Sequence, residues 1–310
     1  MVMKVKTGVV GVGAIGRNHA RVYAGLDTVD LVAIHDADYG RACGLAEEFG
    51  TEAVATLEEF VECVEAASVA TPTTTHREIA TKLLEAGRHV LVEKPISDSV
   101  DDAKALIDLA AARGCVLQVG HIERFNPVMS RLEEVLDSPR FIECHRLSPF
   151  PKRSLDIGVV LDLMIHDLEI VLHLVNSPVA SIDAVGVPVL TRREDIANAR
   201  LRFENGCVAN ITASRISPER LRKIRVFQGD AYLSLDYQDQ GGWIYRRDGL
   251  EIVREEVLVE RDEPLKCELA AFAECAAKGS LPKVSGLQGA AALDVALAIT
   301  RLIEEQAAGD

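Results

Sequence analysis

Through residues 1–120 short apolar runs alternate with longer stretches of helical period. Apolar runs Val9-Val10, Leu31–His35, Ala53–Ala55, Ala66–Ala70, His89–Val92 and Val116–Val119 read as strands. Between them Arg17–Leu26, Tyr39–Phe49, Leu57–Cys63, His76–Ala86 and a run ending at Arg113 read as helices. Gly87 and Gly114 stand where helices stop, and Ser99-x-x-Asp102 is a capping-box-like start. Strand–helix alternation predicts a doubly wound parallel sheet with ligands at the carboxyl ends of its strands. Near His121 the rhythm changes. A helix to Leu136, a strand at Phe141–Leu147 and an apolar helix at Val159–Val175 come first. Strands then follow at 181–190, 197–204, 207–214, 222–228, 231–237 and 242–246, with Asn205-Gly206 as a hairpin turn. Helices at Leu265–Ala277 and Leu287–Gln306 end the chain. The expectation is therefore an α/β domain at 1–120 and an α+β domain at 121–310, the second built on a large open, mostly antiparallel sheet.

The first strand runs into Gly11-Val12-Gly13-Ala14-Ile15-Gly16, and a helix follows at once. This is the dinucleotide fingerprint of a Rossmann fold: Gly11 for the turn, Gly13 for close approach of a pyrophosphate, Gly16 for helix–strand packing. The N–H groups of Ala14, Ile15 and Gly16 open the helix that faces the anion. Asp36 ends the second strand, twenty residues past Gly16, where a carboxylate hydrogen-bonds the adenosine ribose. An Asp there repels a 2′-phosphate and no Arg follows directly, so NAD is expected over NADP.

Net charge of −14 excludes a nucleic-acid surface and leaves room for a local basic pocket. No membrane-spanning run and no room for a signal peptide are read from the chain, and seven cysteines without CxxC spacing read as reduced thiols. The expected location is cytoplasmic.

Helix 159–175 is apolar nearly all round, yet Asp162, His166, Glu169 and His173 fall in one stripe roughly 60° wide. Such a stripe must face something polar, such as a ligand cleft. Asp162 and His166 stand at i, i+4, so the carboxylate can orient an imidazole acting as general base; a core histidine satisfied by its neighbour fits the same residues. No His/Cys cluster supports a metal. Lys94 ends a parallel strand within Glu93-Lys94-Pro95, where an ammonium can stabilise an alkoxide. Thr71, Pro72 and His76 follow another strand end and are placed near the cofactor; alternatively Thr73, Thr74 or Thr75 simply caps a helix. Arg124, Arg146, Lys152 and Arg153 form a basic group suited to a diphosphate or to solvent.

Taken together, Gly11-x-Gly13-x-x-Gly16, Thr71-Pro72-x-x-x-His76, Glu93-Lys94-Pro95 and Asp162-x-x-x-His166-Asp167 resemble the Gfo/Idh/MocA family of sugar and polyol dehydrogenases over the whole chain. The resemblance implies that Lys94, Asp162 and His166 are catalytic. It implies that the glycine loop, Asp36, Thr71, Pro72, His76, Glu93 and Lys94 hold NAD. Gly120–Pro127 and Pro149–Arg153 resemble the branch acting on the 3-hydroxyl of UDP-N-acetylglucosamine. By that likeness Arg124, Asn126, Lys152, Arg153, Asp162 and His166 contact the sugar nucleotide. A homodimer or homotetramer, and an aminotransferase consuming the ketone, are the implied partners. A free-sugar or inositol dehydrogenase, and a non-catalytic dinucleotide sensor, are the other readings.

Overall fold

The computed structural model describes residues 4–150 and 157–309. Strands β1 (Val5–Val10), β2 (Val29–His35), β3 (Glu52–Ala53), β4 (Ala66–Val69), β5 (His89–Glu93) and β6 (Leu117–Gly120) pair in parallel in the order β3-β2-β1-β4-β5-β6. Helices α1 (Ala14–Gly25), α2 (Tyr39–Phe49), α3 (Leu57–Cys63), α4 (Thr73–Glu85) and α5 (Val100–Arg113) alternate with them. Their ends follow from local chemistry. Asp38 accepts the Arg41 N–H, Thr56 and Glu59 form a capping box, and Ser99 accepts the Asp102 N–H. Gly50 and Gly114 close α2 and α5 at φ 66° and 63°. The strand order reverses between β1 and β4, and the switch point joins the loops after Val10 and Val69.

The second sheet contains β7 (Phe141–Leu147), β8 (Val179–Val187), β9 (Ile196–Phe203), β10 (Val208–Ser214), β11 (Leu221–Phe227), β12 (Ala231–Asp236), β13 (Gly241–Asp248) and β14 (Glu251–Val257). Its order is β14-β13-β12-β11-β7-β10-β9-β8, antiparallel except for the β7–β10 pair. Alternate residues of these strands share a core with α6 (Pro127–Val135), α7 (Ile165–Val175) and the later part of the C-terminal helix, through Met129, Leu132, Leu168, Val171, Ala296 and Ile299. The opposite face stays half-exposed and carries an aromatic row: Phe141, Phe227, Tyr232 and Tyr245, with successive centroids 5.6, 4.5 and 5.0 Å apart. The pattern did not announce β14, whose first six residues are all exposed and so lack the alternation that marks a half-buried strand.

The compact units divide as 1–122 with 263–290, and 123–262 with 291–310. Helix α8 (Pro264–Lys278) therefore packs in the first unit, where Leu269, Phe272 and Ala273 join the core of Val9, Val22 and Leu91. The expected boundary at residue 121 leaves 263–290 with the second domain, whereas the compact units give them to the first. The last helix, α9 (Gly286–Gly309), is apolar enough over 286–308 to cross a membrane by length and composition, at mean hydropathy 1.4, where the sequence reading expects no such run. Its Ala292, Ala296, Ile299 and Ile303 instead sit in the second core.

Candidate active site

The three glycines of the loop are glycine for different reasons. Gly11 has φ +82°, and a Cβ on it would lie 2.5 Å from Thr71 Cγ2. A Cβ on Gly16 would stand 1.8 Å from the Gly11 carbonyl oxygen, so α1 could not pack. Gly13 has no heavy atom within 4 Å of such a Cβ, and as N-cap of α1 it provides no side-chain bond. The first-turn N–H groups at Ala14, Ile15 and Gly16 thus border open space, a cradle that fits a pyrophosphate. Asp36 is nearly buried; Oδ2 accepts the Val12 N–H at 2.7 Å and Oδ1 the Asp38 N–H at 2.8 Å. This holds the carboxylate against the loop with lone pairs to spare for a ribose diol. Although no Arg follows Asp36 directly, the fold brings Arg41 Nη1 to 3.5 Å from it, with Nη2 on Asp38. The residues present fit NAD.

Beside this loop, Thr71 follows β4 and the Glu93-Lys94-Pro95 segment follows β5, with Lys94–Pro95 in the cis form. His76 is buried, and both ring nitrogens lie 2.9 Å from carbonyl oxygens, Nδ1 from Pro95 and Nε2 from Thr71. Burial holds its pKa below the ordinary value, against the pull of those carbonyls. His76, expected at the cofactor, is placed between the Thr71 and Pro95 loops, where a neutral ring donates its one N–H to one of the two carbonyls. The alternative of a threonine cap on α4 also fails. The N-cap is Pro72, without a side-chain bond, and Thr75 Oγ1 bonds Thr71 Oγ1 and the Pro72 carbonyl. Glu93 is likewise occupied, by His19 at 3.0 Å and the Lys94 N–H at 3.3 Å.

In the second unit, 159–175 is not one regular helix. Val160–Met164 form a π turn, in which the Ile165 N–H reaches the Val160 carbonyl, and α7 follows. Asp162 lies in the wide turn and His166 in the first turn of α7, both half-buried. Wide turns of this kind are frequent at functional sites. Gly158 precedes them because a Cβ there would stand 1.8 Å from Glu194 Oε1.

The rest of the expected polar stripe has another purpose. Glu169 is buried and takes Arg124 Nη1 at 2.7 Å, while His173 Nε2 lies 3.0 Å from Glu133. Arg146 is buried too. It bonds Asp167 through Nε and Nη2 at 2.7 and 3.0 Å, and Glu123 through Nη1 at 2.9 Å. Two of the four basic residues read as diphosphate contacts are thus core ion pairs: a guanidinium at 2–4 % exposure is held there only by carboxylates that match it. Asn126, expected at the substrate, caps α6 through the Val128 N–H and donates to the Tyr237 carbonyl. Lys152 and Arg153 lie outside the described residues. Among the described residues no group of His, Cys, Asp and Glu is arranged to hold a metal. The residue the sequence reading missed is His19. Its signal was the inward face of α1, where Gly16, His19, Ala20 and Tyr23 are all buried.

Comparison with known proteins fits this division. Residues 5–121 match the family model for the oxidoreductase family with NAD-binding Rossmann fold, and 134–232 match that for the GFO/IDH/MocA C-terminal domain. A UDP-N-acetylglucosamine 3-dehydrogenase from Acidithiobacillus ferrooxidans is 38% identical, covering 97% of this chain and 99% of its own. A solved structure of that enzyme superposes with TM-score 0.94 at 36% identity, over 98% of this chain and 99% of that one. The scyllo-inositol 2-dehydrogenase (NAD(+)) of Bacillus subtilis is 26% identical over 96% of this chain and 93% of its own. A relative so similar from end to end, on a fold whose two units each match their own family domain, makes the chain a member of the Gfo/Idh/MocA oxidoreductase family.

Proposed function

We propose that the protein oxidises the 3-hydroxyl of UDP-N-acetylglucosamine to a ketone with NAD⁺. The observation that carries this is the end-to-end match, through both units, to an enzyme named for that reaction. Lys94, Asp162 and His166 are the catalytic residues of the proposal. His166 takes the hydroxyl proton, oriented by Asp162 one turn earlier. The Lys94 ammonium holds the same oxygen and stabilises its developing charge. NAD⁺, when bound, supplies the hydride acceptor. The glycine loop and Asp36 hold the cofactor, with Asp36 on the ribose diol; Thr71 and Pro72 border that loop. Lys152 and Arg153 are the diphosphate contacts. The ketone product suits a following aminotransferase. In this proposal the protein acts in the cytoplasm as a homo-oligomer whose copies meet through the aromatic face of the second sheet.

The test is NADH formation with UDP-N-acetylglucosamine, myo-inositol and glucose in parallel. Turnover is expected with the sugar nucleotide alone; oxidation of inositol without it would replace the substrate assignment. His166→Asn is expected to lower kcat by about 10²–10⁴-fold, the range of a lost general base. Retention of full activity would remove His166 from the mechanism.

A further inference from the structure

One group of buried side chains in the first unit has no part in the mechanism so far. His19 of α1 is fully buried and donates Nε2–H to Glu93 Oε1 at 3.0 Å. The other carboxylate oxygen of Glu93 accepts the backbone N–H of Lys94 at 3.3 Å. The carboxylate passes over the neighbouring strand at Gly120, where a Cβ would stand 2.9 Å from its Cδ and Oε1. Three elements therefore converge on one side chain: α1 supplies the donor, β6 the space, and β5 the carboxylate.

The surroundings fix the charge of that carboxylate. Burial works to raise the Glu93 pKa, but the His19 hydrogen bond and the charges of His19 and Lys94 outweigh it and keep the group ionised. Glu268 of α8 also faces it electrostatically, and burial keeps that carboxyl protonated well above the ordinary range. His76 of α4 feels the Glu93 charge and is held neutral by burial. Tyr23 of α1, which bonds Ser68 of β4 at 2.9 Å, is neutral for the same reason. A buried carboxylate is costly unless fully used. This one is used on an imidazole of the cofactor helix and on the backbone of the lysine.

The geometry points to a positioning dyad: His19 and Glu93 clamp the Lys94 backbone to α1, so that the helix holding the pyrophosphate also sets where the lysine stands. The inference rests on Lys94 acting in the proposed reaction. Neither His19 nor Glu93 touches substrate in this scheme; they act through Lys94.

The experiment compares Glu93→Gln, His19→Leu, His19→Gln and Lys94→Met in the full chain. Steady-state kinetics are followed from pH 6 to 10, and NADH affinity is measured by fluorescence. Glu93→Gln and His19→Leu are expected to lower kcat by about 10–100-fold, the effect of misplacing a catalytic group by an ångström or less. Their KM values should stay within about twofold, as for a loss confined to the transition state. The alkaline limb of the kcat profile should move, because the ionised neighbour of Lys94 is lost or released. His19→Gln, which keeps a donor, should recover most of the rate. Unchanged kcat and pH profile in Glu93→Gln, with Lys94→Met inactive, would overturn the dyad and leave the mechanism standing. Full activity in Lys94→Met would remove the mechanism itself. If Glu93→Gln does not fold, Gly120→Ala reads the same clamp by pushing the carboxylate aside. There the expected result is the same kcat loss at unchanged NADH affinity, and wild-type kcat overturns the proposal.

Discussion

Two buried acids show how burial and partners decide opposite behaviour in one chain. Asp195 is fully buried and accepts N–H groups from Val189, Leu190 and Thr191, the Thr191 hydroxyl, and Arg215 Nε. Burial opposes its charge, but these donors win and hold the pKa well below the carboxylate range. Its stability contribution is present above the unfolded-state pKa and is lost only as pH falls through the lower folded value. Asp195→Asn is expected to destabilise by about 3–5 kcal/mol, the cost of stranding a buried charge on Arg215. Urea unfolding at pH 7 measures it. Glu268 is the reverse case: no protein hydrogen-bond partner among the described residues meets its carboxyl oxygens, and burial raises its pKa. The folded state holds a proton that the unfolded chain releases, so stability falls as pH rises past the unfolded value. Glu268→Met should therefore raise Tm more at pH 8 than at pH 5; equal gains would mean that the acid is not protonated in the fold. Pattern reading placed Lys94 at a strand end and Asp162 and His166 one turn apart on one helix, because motif spacing is local. It could not see that Arg124 and Arg146 are core residues, because their partners Glu169, Asp167 and Glu123 become neighbours only in the folded chain.

Elements were legible where a face is buried and a terminus is chemically marked. Helix α5 ends at Gly114, the glycine that marks its stop in the sequence. The π turn before α7 was not legible, since apolar side chains all round give no phase from which an inserted residue shows. Strand β14 was missed because it has no buried face. The glycine turn makes a prediction at this scale. Gly13→Ala should leave Tm unchanged, because open space surrounds the added methyl, yet weaken NADH binding at the pyrophosphate cradle. Gly16→Ala should destabilise the fold, because its methyl would meet the Gly11 carbonyl. Thermal melts with and without NADH separate the two; equal losses of Tm would show that Gly13 is also a packing glycine.

In the whole molecule, the two-sheet architecture was readable from the change of rhythm near residue 120, but the return of α8 to the first unit was not. An amphipathic helix shows that it has a partner, not which one. The aromatic row on the open sheet face predicts association of copies: Tyr232→Arg should lower the mass seen by light scattering, since it places a charge between Phe227 and Tyr245. An unchanged mass would move the interface elsewhere. The return of α8 also has a consequence for synthesis. Chains are made from the N-terminus at about 5–20 residues per second, and domains commonly fold in that order. Here the nucleotide-binding unit lacks Leu269, Phe272 and Ala273 of its core until α8 emerges. On the ribosome the glycine loop thus emerges long before the unit that carries it is complete, and a nascent chain halted before residue 263 is expected to leave the α1 side of its core open to chaperones.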